Sequence, residues 1–152
     1  MSNPDEKQSE AGRIGRWMEQ NDRLAQLLGM RLESVAPGSC SVSMVVTADM
    51  LNAVGLTHGG VTYSLADFAF AIASNSHGTV AVALTAQMSY PAASRCGDRL
   101  IAKARENNRG SKTGLYSIEV KTGEGRLVGL FSGTVFRRGD PIGEWMDRAG
   151  RQ

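Results

Sequence analysis

Apolar residues in the first part of the chain recur at helical spacing. Ile14, Trp17, Met18, Leu24, Ala25 and Leu28 share one stripe with Asn21, and Gly29 is placed to stop the helix. The pattern predicts one scaffold helix. Acids and bases mix on its polar face, which does not fit a membrane-surface helix. Residues 1–9 are polar and read as a disordered N-terminus. Two strands follow, at 30–35 and 39–47, joined by Pro37-Gly38. In the second, Cys40, Val42, Met44 and Val46 alternate with Ser39, Ser41 and Ser43. A loop covers 49–57.

The segment from Gly59 to Ser76, GGVTYSLADFAFAIASNS, is apolar or small on nearly every helical face. Such a helix is normally buried all round, so a core helix is expected. Four more strands are predicted, at 80–90, 100–107, 113–121 and 126–137. Val80, Val82, Leu84, Ala86, Met88 and Tyr90 form one apolar face of the first. The turns carry Gly97-Asp98, Arg109-Gly110-Ser111 and Gly123-Glu124-Gly125, and such short links imply an antiparallel sheet. The class is α+β: one sheet curled around one hydrophobic helix. Residues 139–152 turn polar and read as a C-terminal tail, with Trp145 as an anchor.

Composition narrows the function. The chain has 152 residues, which fits one domain, here 10–138. Net charge is −3 over residues 1–94 and +5 over 95–152, so the second half is where an anionic partner would dock, the alternative being that these charges are solvated strand faces. No basic block interleaves with aromatics, which argues against nucleic acid. No apolar run is long enough to span a bilayer, and residues 1–10 lack the apolar core of a secretory signal, so the expected setting is cytoplasmic. Cys40 and Cys96 are not spaced as a metal or redox motif and read as packing residues. With His58 and His77 as the only histidines and no clustered ligands, neither metal nor cofactor is indicated.

Asp67 stands in the middle of the core helix with Tyr63, Ser64, Phe70 and Ala71 at i±3 and i±4. A buried carboxylate costs several kcal/mol unless it is paired, and a lone one is a candidate for catalysis. A structural Asp bonded to Ser64 or a loop is the alternative. His58-Gly59-Gly60 opens the helix. Its first N–H groups lack internal partners, and two glycines let a ligand approach, which suits an oxyanion site. A tight turn with His58 or Thr57 as the cap fits equally well. Asn52 is either a turn residue or an amide presented to substrate.

Taken together, Leu51-Asn52, His58-Gly59-Gly60, Ser64-Leu65-Ala66-Asp67, Ala69-Phe70 and Asn75-Ser76-x-Gly78 resemble the phenylacetic acid degradation (PaaI-type) thioesterases of the hotdog superfamily. Tyr90, Gly97-Asp98, Gly110 and Thr113-Gly114 continue the match over about 20–138. The resemblance implies a hotdog fold, acyl-CoA hydrolysis with an aryl-acetyl or other aromatic acyl group, and dimers paired into tetramers with active sites at the dimer interface. It implies Asp67 as general base or nucleophile, Gly59 as the oxyanion donor, and Asn52 and His58 beside it. Asp67 would face Asn52 and Gly59 across the interface. Gly60, Ser64 and Asn75 are further substrate-binding candidates. Arg109, Gly110, Lys112, Thr113 and Arg137 are candidates for the CoA rim, where the basic excess lies.

Two other readings share the fold. A non-catalytic acyl-CoA-binding module has little use for a buried base. A hotdog enoyl-CoA hydratase resembles an Asp-x-Asn-Pro-x-His pattern, whereas Asp49, Asn52 and His58 have the wrong spacing and no Pro.

Overall fold

The computed structural model describes residues 2–151. Helix α1 spans Pro4–Asn21. Most of the stretch expected to be disordered is therefore helical. Asn3 caps α1, accepting from the Asp5 N–H, while the Glu6 carboxylate accepts from the Asn3 N–H at 3.1 Å. Pro4 in the first turn and two acids beside it suit a helix start. The helix also ends earlier than its apolar stripe suggests. Asp22 is extended and accepts from the Ala25 N–H at 2.9 Å, which starts a separate short helix, α2, Arg23–Leu27. An Asp side chain that bonds the next backbone competes with helix continuation. Gly29, at φ 69°, then turns the chain into the sheet.

The sheet has six strands: β1 Arg31–Ala36, β2 Ser39–Val45, β3 Thr79–Ser89, β4 Arg99–Arg109, β5 Thr113–Thr122 and β6 Leu127–Pro141. Their order is β1-β2-β4-β5-β6-β3, with every neighbouring pair antiparallel. Helix α3, Gly59–Asn75, lies in the curl of this sheet and touches all six strands. This is the hotdog architecture that the resemblance implies. The polar tail departs from expectation. Residues Ile142–Ala149 form α4, and buried Ile142 packs with Ile14 of α1 and Val80. Trp145 is more exposed and donates to Asp140 at 2.8 Å. No described helix is long and apolar enough to cross a membrane.

The core is the interface between α3 and the sheet. Leu65, Phe70 and Ile72 from the helix meet Leu100, Tyr116, Ile118, Val120 and Phe131 from the strands. Phe70 sits edge-on to Tyr116 at 5.6 Å and tilted against Phe131 at 5.4 Å. Gly133 of β6 makes this possible, because a Cβ there would lie 2.6 Å from the Phe70 ring.

Two surfaces of the single chain stay open. One is the edge strand β3, where Val82 and Leu84 are 42% and 58% exposed. The unbroken alternation expected over 80–90 does not occur, because the pairing with β6 shifts register between Ala83 and Thr85. Val82 faces outward with Phe136, whereas Ala86 and Met88 pair with inward Gly133 and Phe131. The other open surface is a stripe of α3. Gly60 and Asp67 are exposed, and Tyr63, Ser64 and Ala71 are half-buried. The helix expected to be buried all round is covered on every side but this one, since a single curled sheet encloses only part of a cylinder.

The C-terminal end of α3 is tied down by a polar network. The Arg109 guanidinium donates to His77 Nδ1 at 2.6 Å, and His77 Nε2 lies 2.7 Å from Glu106 Oε2. Tyr116 donates to the same Glu106 oxygen. A cation donating to Nδ1 fixes His77 as the neutral Nε2–H tautomer. Burial pushes its pKa down, with Arg109 and Arg137 adding to the effect against Glu106. A histidine whose folded pKa is lowered stabilises the fold above its ordinary value near 6.5, and that stability is lost as pH falls through the ordinary value toward the folded one.

Two outcomes follow from this packing. Gly133→Val should lower unfolding free energy by roughly 1–3 kcal/mol through overpacking against Phe70, measured by urea denaturation. The melting temperature of the native protein should fall as pH drops below about 6.5, and that fall should be shallower in His77→Gln; identical pH profiles would remove His77 from the account.

Candidate active site

The N-terminus of α3 is built by a loop that bonds to itself. Asn52 Oδ1 accepts from the N–H groups of Val54 and Leu56, at 3.1 and 3.0 Å. These two donors fix which end of the amide is oxygen. Among the described residues the Asn52 Nδ2 has no partner, so Asn52 presents a donor and no acceptor. Thr57 is clamped to Ser94, N–H to carbonyl at 3.0 Å and hydroxyl to hydroxyl at 2.7 Å. The His58 N–H donates to Met50 O at 2.8 Å, which aims the chain into the helix.

His58 is the helix cap. Its Nδ1 accepts from the Gly60 N–H at 2.9 Å. Gly60 therefore has no free donor for a substrate. Among the described residues the Gly59 N–H donates to no protein group, which leaves one free amide at the positive end of a 17-residue helix. Tyr90 lies beside it. Its hydroxyl donates to Gly59 O at 3.0 Å, and its ring would touch a Gly59 Cβ at 3.4 Å. The fold brings Asn52, His58, Gly59 and Tyr90 together. Only Tyr90 lacks a local sequence signal as a site residue, because 31 positions separate it from Gly59.

Asp67 has no hydrogen bond or ion pair among the described residues. Ser64, the candidate partner one turn away, instead donates to Gly60 O at 2.7 Å. The Asp67 carboxyl lies on the open stripe of α3. Desolvation by the surrounding protein raises its pKa, and the nearby Asp22 charge raises it further. The sequence does not reveal Asp22 as a neighbour, because the break between α1 and α2 places it there.

The remaining candidates are elsewhere. Asn75 is buried, and its amide is used structurally: Nδ2 donates to Ala71 O and Ala81 O, and Oδ1 accepts from the Ala81 N–H. It pins the end of α3 to β3, with both Nδ2 donors and one approach to Oδ1 taken by backbone. Gly110 and Thr113 close the β4–β5 turn, N–H to carbonyl at 2.8 Å. Arg109 belongs to the His77 network, and Arg137 Nε is buried near it with no hydrogen-bond partner among the described residues. Lys112 is exposed in that turn and forms no ion pair among the described residues. This basic group lies at the C-terminal end of α3, whose 17 residues span about 25 Å. A single chain therefore does not bring it to Gly59. A hollow of about 550 Å³ lies on the outer face of the sheet among Lys103, Arg105 and Glu119, away from both Gly59 and Asp67.

Comparison with known proteins places this geometry. The thioesterase superfamily model matches residues 54–129, which include Gly59 and Asp67. The acyl-coenzyme A thioesterase PaaI of Escherichia coli is 41% identical over 82% of this chain and 89% of its own length. The structure of E. coli PaaI superposes with a TM-score of 0.86, covering 88% of this chain and 97% of that one at 38% identity. A mutant of the phenylacetic acid degradation protein PaaI from Thermus thermophilus gives a TM-score of 0.73 at 46% identity, covering 75% and 97%. A hypothetical thioesterase from Streptococcus pneumoniae, solved with coenzyme A, gives 0.71 at 27% identity, covering 74% and 88%. The family match over half of the chain and the fold shared with nearly the whole of a PaaI chain make this protein a member of the thioesterase superfamily, a hotdog-fold thioester hydrolase.

Proposed function

We propose that the protein hydrolyses acyl-CoA thioesters to a free acid and CoA, with an aryl-acetyl or related aromatic acyl group as substrate. The observation that carries this is the presence of an Asp67 carboxylate and a Gly59 N–H that both lack a partner among the described residues. Thioester hydrolysis needs both: a base for water, or a nucleophile, and a donor for the charge that grows on the carbonyl oxygen. Asn52 Nδ2 adds a second donor to orient the carbonyl, and His58 holds the helix terminus that presents Gly59. The thiolate of CoA leaves as the carbonyl re-forms. The aromatic acyl group is supported by the likeness to two PaaI proteins.

Helix geometry favours a site completed by a second copy. Gly59 and Asp67 are eight residues apart on one helix, about 12 Å along its axis. A base must lie within about 3 Å of the proton it takes, or act through one water. Asp67 of one subunit therefore acts with Gly59 and Asn52 of another. The bare stripe of α3 and the apolar edge β3 are the surfaces such a copy would cover, in a dimer that pairs again into a tetramer. At the rim, Lys112 is the basic side chain best free to meet a CoA phosphate, with Arg109 and Arg137 behind it at the end of α3.

The direct test is release of free thiol from a panel of acyl-CoAs. Asp67→Asn should lower kcat by about 10²–10⁴. It should not lower the melting temperature at neutral pH, since a carboxylate whose folded pKa is raised weakens the fold once ionised. In the native enzyme kcat/KM should rise with pH through the raised Asp67 value, because either role needs the ionised form. Near-native kcat in Asp67→Asn would discard the mechanism. Gly59→Val places branched bulk against Tyr90 and the thioester oxygen, and kcat should drop about 10²–10³; an unchanged kcat in the folded variant removes Gly59 as the donor.

A further inference from the structure

The two reacting groups on α3 are arranged evenly about one residue. Gly59 and Asp67 stand at the ends of two helical steps, and Tyr63 is midway. Residues four apart share a helix face, so Tyr63 is central both along the axis and around it. It is half-buried on the open stripe, with its ring held edge-on to Phe131 at 5.4 Å between centroids. Burial raises the pKa of its phenol, and the charges of Asp67 and Tyr90 raise it further. Tyr63 therefore stands within electrostatic reach of the base at one end of the stripe and of the tyrosine beside Gly59 at the other.

Symmetry gives that central position a meaning. When two identical copies pair about a twofold axis, residue i of one meets residue j of the other, and j meets i. If Asp67 of each copy serves Gly59 of the other, the axis passes midway between them, and Tyr63 meets Tyr63. The two α3 helices then run antiparallel. Each Asp67 carboxylate lies against the positive N-terminus of the partner helix, a favourable charge match at both ends.

Spacing gives the contact a task. Gly60, Ser64 and Ala71 on the stripe are small, and helices that meet through small side chains can close to about 8 Å between axes. A thioester needs more room than that. Its oxygen must sit about 3 Å from the Gly59 N–H, and the attacking water about 3 Å from the carboxylate. Tyr63 is the one large side chain on the stripe. Paired aromatic rings prefer centroids about 4.5–7 Å apart. A ring pair at the centre props the helices open evenly, so one contact sets the width of both active sites.

We propose that Tyr63 is a positioning residue on the twofold axis of the active dimer, where it packs against Tyr63 of the partner subunit and holds the two central helices at the distance both sites need. The placement rests on the reading that Asp67 acts across a subunit interface, and that reading has a test of its own. Asp67→Asn and Gly59→Val chains are co-expressed with different tags, and the mixed dimer is isolated. It contains one complete site, so its turnover should exceed that of either variant alone by about tenfold or more. No recovery removes the shared site, and the twofold placement with it.

Tyr63 is then tested separately. Dilute native dimer is exposed briefly to a photo-activated ruthenium complex with persulfate as oxidant, which takes one electron and one proton from each of two touching phenols and joins the rings as dityrosine. A covalent dimer with dityrosine fluorescence should form. Tyr63→Phe should abolish it, and Tyr90→Phe should not. With the mixed dimer active, absence of a covalent dimer, or one that survives in Tyr63→Phe, overturns the placement alone. Tyr63→Phe keeps the ring and should hold kcat within about threefold of native, whereas Tyr63→Ala should lower it about tenfold or more, because small misplacements of reacting groups cost that much. Native kcat in a folded Tyr63→Ala dimer overturns the spacing role. Should Tyr63→Ala fail to fold, the crosslink in the native protein and its loss in Tyr63→Phe decide the matter.

Discussion

Helix α3 is apolar on almost every side, and a single curled sheet cannot enclose a cylinder. The strands cover the faces that carry Leu65, Phe70 and Ile72, and Gly133 lets the largest of these seat against β6. One stripe is left bare. Apart from Tyr63, the residues on it are small or polar, Gly60, Ser64, Asp67 and Ala71, so another surface can approach these closely. The same constraint that buries the helix thus leaves a carboxylate at the one place where protein has yet to close over it. Asp67 already feels partial desolvation in the single chain.

Much of this architecture is legible in the sequence because it depends on local pattern. The alternation of Cys40, Val42 and Met44, the turn at Pro37-Gly38 and the stop at Gly29 each act within a few residues, and the structure keeps them. The departures have long-range causes. The face of β3 changes partway because pairing with β6 slips at Leu84, and a strand does not record its partner's register. The segment after residue 139 reads as a polar tail, yet Ile142 docks on residues more than sixty positions away. The N-terminal residues are helical through a cap that Asn3, Pro4 and Glu6 do spell out, although their polarity masks it.

The site divides along the same line. Asp67, Gly59, Asn52 and His58 stand out because an acid in an apolar run and two glycines before a helix are local anomalies. What each group can do is not local. Asn52 is limited to donation by a loop that takes both approaches to its oxygen. Asn75 looks polar and available, and is instead part of the joint between α3 and β3. The His77 network has no comparable local signal, because Glu106 and Arg109 come from a strand about thirty positions on.

The cap at His58 has one more consequence. A helix that begins with two glycines could offer two adjacent amides to an incoming oxygen, as a nest does for an anion. By holding the second, the imidazole makes the terminus monodentate. It directs the full pull of the helix dipole through a single N–H vector, which suits one developing charge on a trigonal carbon turning tetrahedral and suits a spherical or multivalent anion poorly. A free phosphate or carboxylate would therefore find one glycine amide open at this terminus rather than two.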